Sequence, residues 1–121
     1  MKSIETAASK AVAMAELFLE RRGYRSVEVL DGTAGAPANL VATDPEDGAL
    51  VFVEVLAAQD GEGFPDSGRS GKARSDAERA AAAYLAANAT EDVRVRFDAV
   101  AIVELDGSGR AFVRHHIGRF A

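Results

Sequence analysis

Apolar residues in the N-terminal segment recur at steps of three and four positions between Ile4 and Leu19. This spacing is typical of the inward face of an amphipathic helix. Ser3 is a candidate N-terminal cap and Gly23 a candidate terminator. The pattern therefore predicts a helix over residues 3–22.

The pattern then changes to the short apolar runs of β-strands. Residues 25–30 alternate between polar and apolar, and two more runs at 38–44 and 49–56 are joined by a turn at 45–48. The run 49–56 is apolar at consecutive positions, which is typical of a strand covered on both faces. We therefore expect it at the centre of a sheet.

The C-terminal half predicts a second helix and two more strands. Residues 72–88 are alanine-rich and helical in pattern, 94–105 and 111–117 alternate, and 106–109 form a glycine-containing turn. A strand–helix–strand unit makes its two strands parallel neighbours. We predict one α/β domain over residues 1–121, with a mixed central sheet flanked by helices in the order α-β-β-β-α-β-β.

Composition excludes several classes of protein. The chain has 48% hydrophobic residues, enough for a layered core, and it has no cysteine, which excludes disulfides and thiolate metal sites. It contains no apolar run near the 18 residues that a membrane span needs. Residues 1–6 lack the apolar core of a signal peptide, so we expect a cytoplasmic protein without membrane contact.

The net charge of −5 is unevenly distributed, with −7 on residues 1–66 and +2 on residues 67–121. Arg69, Lys72 and Arg74 lie at the start of the second helix, beside a glycine-rich loop. These three residues are candidates for binding the phosphates of DNA or RNA. The alternative is ordinary solvated surface charge.

A series of short motifs resembles the YraN-like proteins, an uncharacterised bacterial family of predicted endonucleases with a restriction-endonuclease-like fold. The match extends over nearly the whole chain and depends on the order of the motifs rather than on any one of them. In chain order they are Leu19-Glu-Arg-Arg-Gly-Tyr24, Asn39-Leu-Val-Ala, Leu50-Val-Phe-Val-Glu-Val55, Ala83-Tyr-Leu, Arg96-Phe-Asp-Ala-Val100 and His116-Ile-Gly-Arg-Phe-Ala121.

The resemblance implies a metal-dependent centre made of acids on two strands and a lysine. Of these groups, Glu54 is retained, while Asn39 stands at the position of the family aspartate and Leu56 at that of the lysine. The acids of the first helix and of the second motif fall near Val12 and Pro37. Asparagine is a weaker Mg²⁺ ligand than aspartate, and leucine cannot stabilise charge on a phosphate.

The remaining polar candidates have structural alternatives. Glu54 either retains a role beside metal or phosphate, or it faces a wet cleft or binds nearby backbone N–H groups. Asp44 and Asp47 lie in a turn, where aspartate usually binds local backbone rather than replacing a catalytic acid. His115 and His116 point to opposite faces of a strand, so we expect surface or edge positions rather than a shared ligand sphere.

Together the residues and the family resemblance predict a catalytically impaired nuclease-fold protein that needs no metal cofactor. Its remaining function would be to bind nucleic acid, or a partner, through the former catalytic cleft. One alternative is an active Mg²⁺-dependent endonuclease that uses Glu54 with unrecognised acids. Another is an interaction module, such as a homodimer formed through the edge strand near 111–117.

Overall fold

The computed structural model describes residues 7–59, 65, 70–88, 92–105 and 110–120. These residues form a five-stranded mixed sheet with two helices, in the predicted order α-β-β-β-α-β-β. The elements are α1 (Ala7–Arg21), β1 (Arg25–Val29), β2 (Leu40–Thr43), β3 (Leu50–Gln59), α2 (Gly71–Asn88), β4 (Val95–Leu105) and β5 (Arg110–His116).

The strands lie in the spatial order β1-β2-β3-β4-β5, with β3 at the centre. β3 and β4 are parallel, with Leu50 opposite Val95 and Gln59 opposite Glu104, and the other neighbouring pairs are antiparallel. The central position of β3 and its parallel pairing with β4 confirm two predictions from the hydrophobic pattern.

Alternate residues of β3 face two separate cores. Val51, Val53 and Val55 face α1, whereas Phe52 faces α2. The α1 face of the sheet packs against the buried stripe Ala11, Val12, Ala15 and Leu19. On the α2 face, the ring of Phe52 contacts those of Tyr84 and Phe97, with centroid distances of 5.6 and 6.0 Å.

The predicted terminator of the first helix is confirmed. The N–H of Gly23 donates to the carbonyl of Glu20, and the N–H of Tyr24 donates to that of Leu19, both at 3.0 Å. This pair of bonds closes the helix because Gly23 adopts a φ of 89°, which glycine reaches without a steric penalty.

The structure also corrects one boundary that matters for the site. Asn39 was predicted inside a strand over 38–44, but β2 begins at Leu40. The predicted cap Ser3 and the turn at 106–109 lie outside the described residues. Within the described chain, neither helix is long and apolar enough to cross a membrane.

Candidate functional site

Glu54, the carboxylate retained from the family motif, forms a buried ion pair. Its Oε1 lies 3.0 Å from a terminal nitrogen of the Arg119 guanidinium. The Glu54 side chain is 11% exposed and that of Arg119 is 2% exposed. A cation near the C-terminal end of the sequence therefore offsets part of the cost of placing a lone carboxylate in an apolar strand.

Burial dominates the protonation equilibria of both partners. It raises the pKa of the Glu54 carboxyl, and attraction to Arg119 offsets part of that rise. Burial likewise lowers the pKa of the Arg119 guanidinium, and Glu54 offsets part of that change. Each group thus depends on the other to keep its charge inside the protein.

The C-terminal segment after β5 places Arg119 against the sheet. Gly118 has a φ of 71°, so the chain turns there in a conformation that favours glycine. The N–H of Gly118 donates to Asp98 Oδ1 at 3.0 Å, and the N–H of Arg119 donates to the carbonyl of Phe97 at 2.8 Å. The Phe120 ring packs on Phe97 at 5.7 Å, so the segment is fixed at several points.

Asn39, at the position of the family aspartate, uses its whole side chain to bind backbone. Its Nδ2 donates to the carbonyls of Asp31 and Thr33 at 2.8 and 2.7 Å. Its Oδ1 accepts the N–H of Val55 at 2.8 Å. The fully buried amide therefore joins the loop after β1 to the central strand, and its oxygen is already engaged.

The structure brings the three family positions close along β3 without forming an acidic site. Glu54 and Leu56 follow Phe52 on the α2 face, and Asn39 binds the backbone of Val55 between them. Leu56 is half-buried and apolar. Of the two further positions, Val12 is buried in the α1-face core and Pro37 is exposed.

The predicted basic residues lie on the exposed face of α2, except Arg69, which lies outside the described residues. Lys72 is 85% exposed and its Nζ lies 2.8 Å from Asp76 Oδ2. Arg74 Nε lies 3.5 Å from Glu78 Oε2. Both cations therefore have a carboxylate one helical turn away.

A second buried polar cluster, centred on Arg96, lies on the α1 face of the sheet. Arg96 donates to both carboxylate oxygens of Asp98 at 2.9 Å, to Asp44 Oδ2 at 2.7 Å and to the hydroxyl of Tyr24 at 2.9 Å. His115 Nε2 lies 2.8 Å from Asp98 Oδ2. We call Arg96, Asp98, Asp44, Tyr24 and His115 the Arg96 cluster.

The Arg96 cluster corrects part of the expectation for His115. A surface or edge-strand role was expected, and β5 is an edge strand of the sheet. The side chain, however, is 6% exposed and packs edge-on against Phe18 at 6.0 Å and Tyr24 at 5.9 Å. His115 and His116 do alternate along the edge strand β5, so they share no ligand sphere.

The turn aspartates bind backbone, as expected. Asp44 Oδ1 accepts the N–H of Glu46 at 2.8 Å, and Asp47 Oδ1 accepts that of Ala49 at 2.9 Å. The additional bond from Asp44 to Arg96 was not predicted, because only the folded sheet brings β4 beside this turn.

The protonation equilibria of Asp44 and Asp98 in the Arg96 cluster favour the ionised carboxylates. Burial favours the protonated form of Asp98, but hydrogen bonds from His115 and Arg96 outweigh it and lower the pKa of Asp98. Bonds from the Glu46 N–H and from Arg96 lower the pKa of Asp44. At neutral pH both carboxylates are therefore ionised around one guanidinium.

The acidic side chains of the described sheet are paired with arginines rather than gathered into one group. Among the described residues, no three histidine, aspartate or glutamate side chains converge as a metal site would require. The acids that do come close, Asp44 and Asp98, are bound to Arg96. Glu54 is bound to Arg119. Each of these carboxylates is thus paired with a guanidinium.

Sequence reasoning missed the roles of Arg119 and Arg96. Both lie in quoted motifs, His116-Ile-Gly-Arg-Phe-Ala121 and Arg96-Phe-Asp-Ala-Val100. One signal was present for Arg96, since arginine two residues before aspartate on a strand places both side chains on one face. No local signal connects Arg119 to a residue 65 positions earlier.

Comparison with known proteins gives two matches. A model of the uncharacterised protein family UPF0102 matches residues 13–102. A UPF0102 protein of Pelobacter propionicus is 33% identical over 113 residues, covering 93% of this chain and 80% of the relative. The family match contains Asn39, Glu54 and Leu56, whereas Arg119 lies beyond it.

Proposed function

Because this chain belongs to the UPF0102 family, the YraN-like family that its motifs resemble, we propose that it is a catalytically impaired member. It keeps a nuclease-type fold and binds nucleic acid without metal-dependent hydrolysis. The observation that carries this proposal is the ion pair between Glu54 and Arg119.

Charge at the family site supports the proposed loss of hydrolysis. A hydrolytic centre uses carboxylates to hold Mg²⁺, which neutralises the scissile phosphate and activates water. Here the charge of Glu54 is cancelled by Arg119, and Asn39 adds none. A divalent cation arriving at Glu54 would have to displace a buried guanidinium, leaving that charge without its partner.

The alternative of an active Mg²⁺-dependent endonuclease requires other acids near Glu54. Asp98 belongs to the opposite face of the sheet, and Asp44 is bound to the same Arg96 as Asp98. These contacts favour a structural role for both aspartates, so we propose no metal cofactor.

The proposed nucleic-acid contact is the exposed face of α2. Lys72, Arg74 and Arg79 are three cations on this helix, and Asp76 and Glu78 are its two acids. Exposed ion pairs at this spacing are worth only about 0.3–0.5 kcal/mol, so phosphates can replace the carboxylates. The small net charge of the helix predicts weak and strongly salt-dependent binding, without base specificity.

A cleavage assay tests the catalytic part of the proposal. The purified chain and its Glu54→Gln variant are incubated with plasmid DNA and with RNA, in Mg²⁺ and in Mn²⁺. We expect no metal-dependent cleavage by either protein. Robust cleavage by the unmodified chain that disappears in Glu54→Gln would support the active endonuclease and refute the proposal that the protein is catalytically impaired.

Fluorescence anisotropy with labelled DNA and RNA duplexes tests the binding part. We expect Lys72→Gln combined with Arg74→Gln to weaken binding and to reduce the slope of log affinity against log salt by about two. The control combines Lys10→Gln with Arg25→Gln, two exposed cations outside α2. An equal loss of affinity in the two double variants, or no binding by wild type at low salt, would contradict a contact through α2.

A further inference from the structure

The two edges of the sheet differ in how they are protected against a further strand. At β1 the register shifts between Arg25 and Glu28, and Ser26 adopts a φ of 53°. Such a bulge twists an edge away from an incoming strand. At β5 all seven residues pair with β4 in unbroken register, from Arg110 opposite Leu105 to His116 opposite Ala99. The β5 edge therefore keeps the regular geometry that an added strand requires.

An apolar groove runs beside this regular edge, between α1 and β5. Its volume is about 430 Å³. The groove is lined by Met14, Leu17, Phe18, Arg21, Arg22, Ala111 and Val113. Leu17 is 48% exposed, and on the opposite side of β5 Phe112 is 58% exposed. Apolar side chains are thus accessible on both sides of the edge strand.

Positively charged side chains lie along the groove. Among the described residues that line it, Arg21 and Arg22 are the charged ones, and the Arg22 guanidinium lies 5.3 Å from the centre of the Phe18 ring. On the other side of β5, Arg110 and Arg114 flank Phe112 and are exposed. This positive edge contrasts with the net charge of −5 of the whole chain.

We propose that the β5 edge, together with this groove, binds an extended segment of an acidic partner protein as a sixth strand. Backbone bonds to β5 would supply the pairing, and side chains at alternate positions would point to opposite faces. Apolar residues at every second position fit the groove between Leu17 and Val113. Acidic residues at the intervening positions face Arg110 and Arg114, and a terminal acid reaches Arg21.

The same observations distinguish this partner from other occupants. A second copy of the chain would bring the same arginines to the shared edge, and like charges at an interface oppose association. A nucleic acid would satisfy the arginines but would leave the apolar groove without a matching surface. The groove lies on the α1 face, away from Glu54, so the proposal is independent of the impaired-nuclease reading.

Peptide binding measured by fluorescence polarisation tests the proposal. The labelled peptides have seven residues, the length of β5. All carry valine at alternating positions, and three series carry glutamate, serine or lysine between the valines. We expect the glutamate series to bind at least about tenfold more tightly than the serine series, and the lysine series to bind least.

Substitutions at exposed positions locate the binding surface without disturbing the core. Leu17→Asp, and Arg110→Glu combined with Arg114→Glu, should each weaken the glutamate peptides about tenfold. The matched control is Val29→Asp on the other edge strand, where Val29 is 43% exposed, and it should leave affinity within about twofold. Bound peptide should also slow hydrogen exchange of β5 amides.

Three results would overturn the proposal. The first is that the glutamate peptides do not bind, or that they bind wild type and Leu17→Asp with equal affinity. The second is a concentration-dependent dimer in sedimentation that Leu17→Asp abolishes, which assigns the edge to a second copy. The third is a DNA duplex that displaces the peptides and binds more weakly to the Arg110→Glu, Arg114→Glu variant, which assigns the surface to nucleic acid.

Discussion

Removing Glu54 and removing Arg119 should each destabilise the protein, and the two losses should differ in their dependence on pH. Glu54→Gln leaves Arg119 buried, with a side chain 2% exposed and no neutral form available near neutral pH. Breaking a buried pair in this way costs about 3–5 kcal/mol. A domain is typically stable by roughly 5–15 kcal/mol, so the loss is a large share of the total.

The reverse substitution, Arg119→Met, should cost less at low pH than at high pH. It leaves the Glu54 carboxyl, whose pKa burial already raises, without its cation. The folded protein then holds a proton that the unfolded chain releases. Stability is therefore highest below the ordinary pKa of 4.5 and falls as pH rises through the raised pKa of the folded state. Glu54→Gln has no carboxyl to titrate there and should lack this dependence.

Urea denaturation followed by far-UV circular dichroism measures both effects, since the chain has no tryptophan. The combined Glu54→Leu, Arg119→Met variant is the control, because apolar replacement of a whole buried pair is often neutral. We expect it within about 1 kcal/mol of wild type. If each single variant also stays within about 0.5 kcal/mol of wild type, the pair is screened by water and the reasoning is refuted.

Three further predictions follow from other contacts. Asn39→Asp replaces two donated hydrogen bonds by a carboxylate that faces the carbonyls of Asp31 and Thr33, so it should destabilise the protein by about 2–4 kcal/mol at neutral pH and by less near pH 4. Thermal denaturation at both pH values measures this effect, and equal melting temperatures for variant and wild type would contradict it. Because the pKa values of Asp44 and Asp98 are lowered, wild type should lose stability as pH falls below about 3.8, and acid titration of Asp98→Asn should show a shallower loss from a lower starting stability. Gly118→Ala should cost about 1–2 kcal/mol in urea titrations because of the φ of 71°, whereas Gly71→Ala at the start of α2 should cost nothing.

The fold was predictable because its signals are local and repeat along the chain. The i, i+3, i+4 spacing of α1 and the continuous apolar run of β3 each indicate both the element and the face that it buries. Gly23 also marked the end of α1 by a local signal, because the residue that ends this helix has a positive φ, which favours glycine. The order of elements then restricted the sheet to a few arrangements.

The site was less predictable because its contacts join distant parts of the chain. Motif comparison identified Glu54, Asn39 and Leu56 as the positions of the family's polar groups, but it gave no information about their contacts in this chain. In the structure Asn39 connects a loop to β3, and Glu54 forms an ion pair with Arg119 from the segment after β5. Nothing in the spacing of these residues specifies either contact, which depends on the turn at Gly118 and on strand register.

Glu54 is paired with Arg119 in the structure, so we expect its carboxylate to be unavailable to a metal ion. Crystals of the protein soaked in Mn²⁺, with anomalous diffraction to locate the metal, test it most directly. We expect no Mn²⁺ bound to Glu54 and an intact contact between its Oε1 and the Arg119 guanidinium. Mn²⁺ coordinated by the Glu54 carboxylate, with Arg119 displaced from it, would show that the ion pair does not block metal binding.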